Sequence, residues 1–320
     1  MKLGDGVIPP SRARDSSGGP RRLDCKRQGP SLFAVVGGLR RTHLLSKMCP
    51  MPAQLLLTVD VGNTRAKLGL FDLASWTPGV ALPPCVSTQA LMLAQPFDLK
   101  GVAEQFGATC GRVVQTAVAG VNPPGIDRLL AGWPTAWPRP RRVSSFTQVP
   151  LEVDVETPER VGIDRLLGAV AANRLRATGQ GAIIVDSGTA TTVNLLTATG
   201  RFAGGAILPG LALGGLALNH YTAMLPHVPA SELVEGEVEP VGKNTWDAIR
   251  SGVLYGQVGA VRELTRLFTE QMPEARVPPL CLITGGAGSL LARYLGTPFR
   301  FERHLPLYGL AATVWNNPPA

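Results

Sequence analysis

The sequence predicts an α/β protein made of two related halves, and three observations carry that prediction. Residues 55–72, LLLTVDVGNTRAKLGLFD, read as an apolar run, a polar Asp60-Val61-Gly62-Asn63-Thr64 bend and a second apolar run. Residues 182–196, AIIVDSGTATTVNLL, repeat the arrangement, with Asp186 falling on Asp60 and Gly188 on Gly62. Strand-like runs alternate with helical patterns through the remaining chain. Two β-forming runs joined by an Asp/Gly/Asn bend are a hairpin signal. The 320 residues suit two domains of about 130 residues each.

The bends are polar wherever they could face a ligand. Asp60 ends its strand, so its carboxylate can project from the sheet toward a Mg²⁺ ion. Gly62 lets backbone N–H groups approach phosphate oxygens, while Asn63, Thr64 and Lys67 add donors and one positive charge. One such bend is equally a plain tight hairpin. Two of them facing one another make a cleft able to hold a nucleoside triphosphate without a P-loop.

The formal net charge of +8 suggests nucleic acid until it is located. Residues 1–50 hold ten basic residues against Asp5, Asp15 and Asp24, a balance of +7, which leaves only +1 for the other 270 positions. The folded part is nearly neutral, which excludes a general nucleic-acid binder. The five cysteines are scattered and form no CxxC pair, which fits reduced thiols in a cytoplasm rather than a disulfide framework or a zinc site. The longest apolar stretch, residues 203–218, is short for a membrane span and is interrupted by Pro209 and several glycines. No secretory signal is evident. Residues 1–50, rich in Pro, Gly, Ser and Arg, are expected to be a disordered basic extension, with Met48 or Met51 as a natural start.

In chain order, residues 87–106 carry a helical pattern and residues 112–118 a strand. Pro123-Pro124 opens a short helix near residues 126–130, and the Pro- and Arg-rich residues 133–142 read as an exposed connector. Residues 151–155 alternate like an edge strand. Residues 164–175 read as a helix with Leu166, Leu167, Val170 and Ala171 on one face. Beyond the second hairpin, residues 204–210 form a strand leading into a helix whose first turn holds Pro209. Residues 231–241 form an acidic loop. Asn244 or Thr245 caps a long amphipathic helix with Trp246, Ile249, Val253, Leu264, Leu267 and Phe268 as its buried candidates. Residues 278–284 form a last strand that ends in Gly285-Gly286-Ala287-Gly288. This turn is either a plain strand-to-helix junction or a place where an adenine or ribose approaches closely; it lacks the third spaced glycine of a dinucleotide fingerprint.

No GxxxxGK[ST], HExxH or GxSxG is present, and His43, His220, His227 and His304 show no metal-ligand spacing. What remains, carboxylates and phosphate-cradling bends, is equipment for phosphoryl transfer, which also needs one base for the acceptor's proton. GIDRLL occurs twice, at residues 125–130 and 162–167. An Asp-Arg pair at a helix start can accept a hydroxyl proton and grip a carboxylate in a bidentate fork. A single copy is equally an acidic residue favoured by the helix dipole beside a solvated arginine.

With these residues assembled, the chain resembles the type III pantothenate kinases, a family within the superfamily of actin, sugar kinases and heat-shock chaperone ATPases. The resemblance rests on seven blocks in order: DVGNT at 60–64, VGIDRLLGAVAA at 161–172, VDSGTATTVN at 185–194, GGAILPGLAL at 204–213, TAMLPHV at 222–228, GKNTWDAIRSG at 242–252 and TGGAG at 284–288. It implies two tandem ribonuclease H-like (actin-like ATPase) domains, residues 51–177 and 178–320. Each would hold a mixed five-stranded sheet flanked by helices, with the nucleotide cleft between them.

The activity it implies is ATP-dependent phosphorylation of pantothenate to 4′-phosphopantothenate, the first step of coenzyme A biosynthesis. By the same resemblance Asp60, Val61, Gly62, Asn63, Thr64, Arg65, Ala66 and Lys67 bind ATP phosphates, with Asp60 holding Mg²⁺ through ATP. Thr189 also touches ATP, and Asp186 holds a monovalent cation, K⁺ or NH₄⁺. Gly162, Ile163, Asp164 and Arg165 bind pantothenate, with Asp164 as general base and Arg165 on the carboxylate, and Thr245 completes the substrate site. The sequence around the second GIDRLL copy selects Asp164 over Asp127. A cytoplasmic homodimer, with no nucleic-acid or membrane partner, is expected. Two positions depart from the family pattern: Val155 stands where a Tyr is common, and Asn194 where Asp is frequent. A non-catalytic relative, or a kinase for another small hydroxy acid, stays open as an alternative.

Overall fold

The structure, a computed structural model, describes residues 53–76, 80–107, 111–234 and 236–316. The expectation for residues 1–50 lies outside the described residues. The first hairpin is β1 (Ala53–Val61) and β2 (Arg65–Asp72), paired antiparallel with Asp60 opposite Lys67. Strand β3 (Cys85–Met92) adds antiparallel to β2, whereas β4 (Gly111–Gly120) and then β5 (Arg141–Val143) add parallel on the other side. The order of this sheet is β3-β2-β1-β4-β5.

The second sheet copies the plan. Its hairpin is β6 (Gln180–Ser187) and β7 (Ala190–Leu196), with β8 (Phe202–Pro209) antiparallel beyond β7. Strands β9 (Val277–Thr284) and β10 (Arg300–Phe301) lie parallel beyond β6. The order β10-β9-β6-β7-β8 therefore matches the first sheet strand for strand. The repeat expected from the two Asp-x-Gly bends extends to whole sheets, which are the expected mixed five-stranded pair.

Two helices, α3 (Ile163–Leu175) and α8 (Leu305–Asn316), lie between the sheets. One apolar cluster joins Leu56 and Phe71 of the first sheet, Ile184 and Leu282 of the second, and Leu166, Leu167, Leu310 and Val314 of these helices. Helix α3 is apolar nearly all round because it is covered nearly all round. A Cβ on Gly309 would collide with the Leu167 carbonyl, so glycine sets the closest approach of α3 and α8. The outer face of the first sheet is covered by α1 (Leu99–Gly107) and α2 (Pro123–Ala131). That of the second is covered by α4 (Leu211–His220), α6 (Thr245–Glu270) and α7 (Gly288–Leu295). Strand β1 is buried on both faces, which explains its unbroken apolar run.

Several expectations need correction. Residues 87–106 are not one helix: their first part is β3, because the open edge of β2 takes a third strand through Ser87, Thr88 and their neighbours. Residues 133–142 are not simply exposed. Trp137 packs into the core beside Phe106 and Trp133, and the Pro138 carbonyl accepts from both Thr116 Oγ1 (2.8 Å) and Trp133 Nε1 (2.9 Å). Residues 151–155 alternate in burial as expected, yet they touch the sheet at a single bridge, Val153 with Phe202. Pro209 closes β8 rather than opening the helix, and Gly210 caps α4. The acidic segment begins with a short helix, α5 (Ala230–Val234). In α6 the fully buried apolar positions are Ile249, Leu254, Val258 and Val261; Trp246, Val253, Leu264 and Phe268 are partly buried against the core as expected, whereas Leu267 is exposed.

Candidate active site

The ends of β1 and β6 bring the two bends together. In the first, Gly62 N–H donates to the Arg65 carbonyl at 3.0 Å; in the second, Gly188 N–H donates to the Ala190 carbonyl at 2.9 Å. The Thr64 and Thr189 hydroxyls meet at 3.1 Å. Behind each bend the neighbouring parallel strand turns away at a glycine. Gly120 ends β4 with φ 155° and Gly285 follows β9 with φ 95°. A Cβ on Gly120 would strike the Val61 carbonyl, and one on Gly285 would strike the Ser187 carbonyl, in each case the residue after the bend's aspartate. These carbonyls accept from Val121 N–H and Ala287 N–H, both at 3.0 Å. The Gly-rich turn at 285–288 is thus half of a symmetric pair, a role that its own sequence did not show.

Charge converges at the same place. Lys67 lies across the hairpin from Asp60, and its ammonium also favours the ionised forms of Asp164 and Asp186. Burial outweighs it: desolvation, with repulsion from Asp164 and Asp186, raises the Asp60 pKa from 3.8 to about 7. Asp164 is raised mainly by burial, against hydrogen bonding by the Arg165 N–H and the nearby Arg165 and Lys67 charges. Asp186 is raised by burial and by Asp164. A lysine facing three reluctant carboxylates is arranged for something that brings more positive charge.

Three buried side-chain atoms among the described residues have no hydrogen-bond partner: Thr58 Oγ1, Asp60 Oδ1 and His304 Nδ1. Thr58 shares with Asp60 the face of β1 turned toward α8. His304 precedes α8, and its pKa is lowered by burial, by Arg303 and by Lys67. Nothing local to His304 in the sequence signals that it comes within the field of Lys67.

A divalent cation fits this donor set. Asp60 Oδ1 is the orphaned acceptor, and no group of three or more His, Cys, Asp or Glu among the described residues could cage a metal alone. That combination suits Mg²⁺, which takes one or two carboxylates and fills its sphere with phosphate oxygens and water.

The acceptor side is built by the start of α3 and the end of β7. Gly162 caps the helix, and Asp164 Oδ1 accepts from the Arg165 N–H at 2.8 Å. Arg165 Nε–H donates to Asn194 Oδ1 at 2.7 Å, and Val155 lies against Gly204, where a Cβ would be 3.6 Å from it. Ile163 is buried in the central core and so supports the turn through packing. Val61 and Ala66 are likewise buried, whereas Asn63, Thr64 and Arg65 are exposed on the bend. Thr245 is the first residue of α6, twelve positions before Gln257, whose Oε1 approaches Ser187 Oγ at 3.5 Å. Asp127, in the other GIDRLL copy, points to solvent and pairs with Arg142 at 3.4 Å.

Comparison with known proteins places the chain among named relatives. The family model described as type III pantothenate kinase matches residues 56–267. Among curated proteins, the type III pantothenate kinase of Rubrobacter xylanophilus is 34% identical over 276 residues, covering 80% of this chain and 96% of that protein. Those of Cupriavidus taiwanensis and Geobacter sulfurreducens are 35% and 31% identical, again over 80% of this chain and 96% of each relative. The chain belongs to the type III pantothenate kinase family.

Proposed function

We propose that this chain transfers the γ-phosphoryl group of ATP to the primary hydroxyl of pantothenate, giving 4′-phosphopantothenate and ADP and so starting coenzyme A synthesis. The observation that carries the reading is the convergence of Lys67, Asp60, Asp186 and Asp164 where the two bends meet. The bend at Asp60, Val61, Gly62, Asn63, Thr64, Arg65, Ala66 and Lys67 grips the phosphates from one lobe, and Thr189 grips them from the other. Asp60 holds Mg²⁺ through ATP, and the metal supplies charge neutralisation on the phosphates. Asp186 holds a monovalent cation, K⁺ or NH₄⁺.

Gly162, Ile163, Asp164 and Arg165 seat pantothenate. Asp164 Oδ takes the hydroxyl proton as the new O–P bond forms and the bond to the ADP oxygen breaks. A base with a raised pKa suits that task, since the ideal catalytic pKa lies near the working pH. Arg165 fixes the acceptor's carboxylate, a remote contact that orients the hydroxyl. The lobes divide near residues 177 and 178, and the reaction is assigned to the cytoplasm. No helix among the described residues is long and apolar enough to cross a membrane.

The same reading makes the enzyme a homodimer. Ile207, Leu213, Leu216, Tyr221 and Met224 of β8, α4 and the following turn are exposed, Tyr221 to 82% and Met224 to 89%. Exposed apolar side chains of this size suit an interaction site, and Thr245 completes the substrate site. Sedimentation of the purified protein as a monomer at micromolar concentration would remove this part.

ADP release measured over a panel of small hydroxy acids, with and without K⁺, tests the whole. The expected result is turnover with pantothenate, stimulated by K⁺ or NH₄⁺. Equal turnover with unrelated hydroxy acids, or none with pantothenate, rejects it.

A further inference from the structure

Helix α6 carries a glutamine on the stripe that it turns to the second sheet. Gln257 is 7% exposed and sits on the same face as Leu254, Val258 and Val261, which pack against Ile183, Val185 and Val193. An apolar side chain would be buried there without the desolvation cost of an amide. The amide is used at both ends. Its Nε2–H donates to the Pro209 carbonyl at 2.7 Å, which fixes the nitrogen on that side, so Oε1 faces the Ser187 hydroxyl at 3.5 Å.

Ser187 Oγ in turn meets Thr191 Oγ1 at 3.2 Å, and both side chains are fully buried. With the Ser187 proton turned to Gln257, Thr191 donates to Ser187, and one directed chain runs from β7 to α6 and on to the end of β8. What it holds is the back of the second bend. Ser187 directly precedes Gly188, and Thr191 stands two positions after Thr189. The residue after Pro209, Gly210, donates its N–H to the Thr189 carbonyl at 3.0 Å. A Cβ on Gly210 would collide with the Gly188 and Thr189 carbonyls, so this backbone lies flush against the bend. Gln257 fixes Pro209-Gly210, Gly210 fixes Thr189, and the Thr189 hydroxyl stands 3.1 Å from that of Thr64.

We propose that Gln257 is a positioning residue for the nucleotide: from α6 it braces the Pro209-Gly210 backbone and the Ser187–Thr191 hydroxyl pair, and so sets the place at which Thr189 meets the triphosphate. The inference rests on the kinase reading and deepens it. The Gln257 amide is committed to these contacts, so it acts through Thr189 rather than on the ligand. Methionine, unbranched and of nearly equal length, would keep the packing against Leu254, Val258 and Val261 while leaving the bend unbraced. The loss should therefore appear in nucleotide affinity and not on the acceptor side, where Asp164 and Arg165 stand on α3.

The test measures calorimetric binding of Mg-ATP without acceptor, beside steady-state kinetics with pantothenate, for wild type, Gln257→Met, Gln257→Asn and Gln257→Met combined with Thr189→Val. For Gln257→Met the Kd and KM for Mg-ATP should rise roughly 5–20-fold, the scale of one lost buried hydrogen bond. The KM for pantothenate, and kcat, should stay within about threefold. Gln257→Asn keeps the amide one methylene short of its partners and should raise the Kd for Mg-ATP roughly 2–10-fold. Adding Thr189→Val to Gln257→Met should weaken Mg-ATP binding by less than the product of the two single effects, because both act at one contact.

An unchanged Kd for Mg-ATP in Gln257→Met overturns the proposal, as does an equal rise in the KM for pantothenate, which would indicate only structural damage. Full multiplicativity of Gln257→Met with Thr189→Val overturns it too, since Gln257 would then not act through Thr189. If Gln257→Met fails to fold, Gln257→Asn decides: an unaltered Kd for Mg-ATP overturns the proposal. A wild type that does not bind Mg-ATP overturns the kinase reading and this inference with it. Wild-type turnover of pantothenate with an indifferent Gln257→Met overturns this inference alone.

Discussion

The Thr64 and Thr189 hydroxyls lie 3.1 Å apart although 125 positions separate them in sequence. This contact ties the bend of the first sheet to the bend of the second. Its position is exposed, so it adds little to stability. On the proposed reading both bends address one ligand. Thr64→Val and Thr189→Val are each expected to raise the KM for ATP roughly 3–30-fold while costing less than about 1 kcal/mol of stability. A double-mutant cycle in ATP affinity should be non-additive; strict additivity would mean that the bends act separately.

The two GIDRLL copies give an internal control. Asp164 is largely buried among Lys67, Arg165 and the other carboxylates, whereas the Asp127 side chain is 68% exposed and pairs with Arg142. Asp164→Asn should lower kcat by about 10²–10⁴-fold with the fold intact. Asp127→Asn should leave kinetics unchanged and move stability by less than about 0.5 kcal/mol. Circular dichroism and steady-state kinetics on the pair check this, and comparable losses in both would reassign the base.

Asp60 links the site to stability. Its pKa rises from 3.8 to about 7 on folding, chiefly through burial. The unfolded chain therefore releases this proton first as pH rises. Between those two values the folded state binds more protons, so stability falls toward neutral pH. Asp164 and Asp186 are raised as well and act with the same sign. The ligand-free protein should lose stability from about pH 4 to pH 7, and Asp60→Asn should be more stable than wild type at pH 8 by about 1–3 kcal/mol. The same variant should bind Mg-ATP far more weakly. Calorimetric melts at pH 5 and pH 8 read the first effect; a Tm difference between the two proteins that does not change with pH would contradict it.

Gly285 has a backbone reason to be glycine as well as a steric one. Its φ is 95°, and a Cβ there would strike the Ser187 carbonyl and come within 2.5 Å of Asp186 Oδ1. Gly285→Ala should cost about 2 kcal/mol or more and displace Asp186. Denaturant unfolding together with K⁺ activation measures both; a variant with wild-type stability would show that the turn tolerates a side chain.

Much of this arrangement was legible in the sequence because its cause is local. Asp60 and Asp186 sit where apolar β runs meet Gly-containing bends, and α3 begins at the Gly162-Ile163-Asp164-Arg165 turn that its motif suggested. The failures have long-range causes. Strand β3 is a strand because β2 offers it an edge, and the helical pattern of residues 87–106 carries no trace of that edge. Trp137 is buried because Phe106 and Trp133 meet it, so a proline-rich stretch that looked exposed is partly core. The symmetric use of Gly120 and Gly285 follows from two parallel strands turning away at equivalent places, which only the paired sheets reveal. His304 comes near Lys67 because α8 runs between the sheets, packed against α3.

The most direct measurement is ³¹P NMR of wild type and Asp164→Asn incubated with Mg-ATP, K⁺ and pantothenate. A new phosphomonoester resonance should grow in step with ADP for wild type and stay near background for the variant. ADP accumulating with inorganic phosphate and no phosphomonoester, or an equal phosphomonoester signal from Asp164→Asn, would contradict a transfer in which Asp164 deprotonates the acceptor between the two bends.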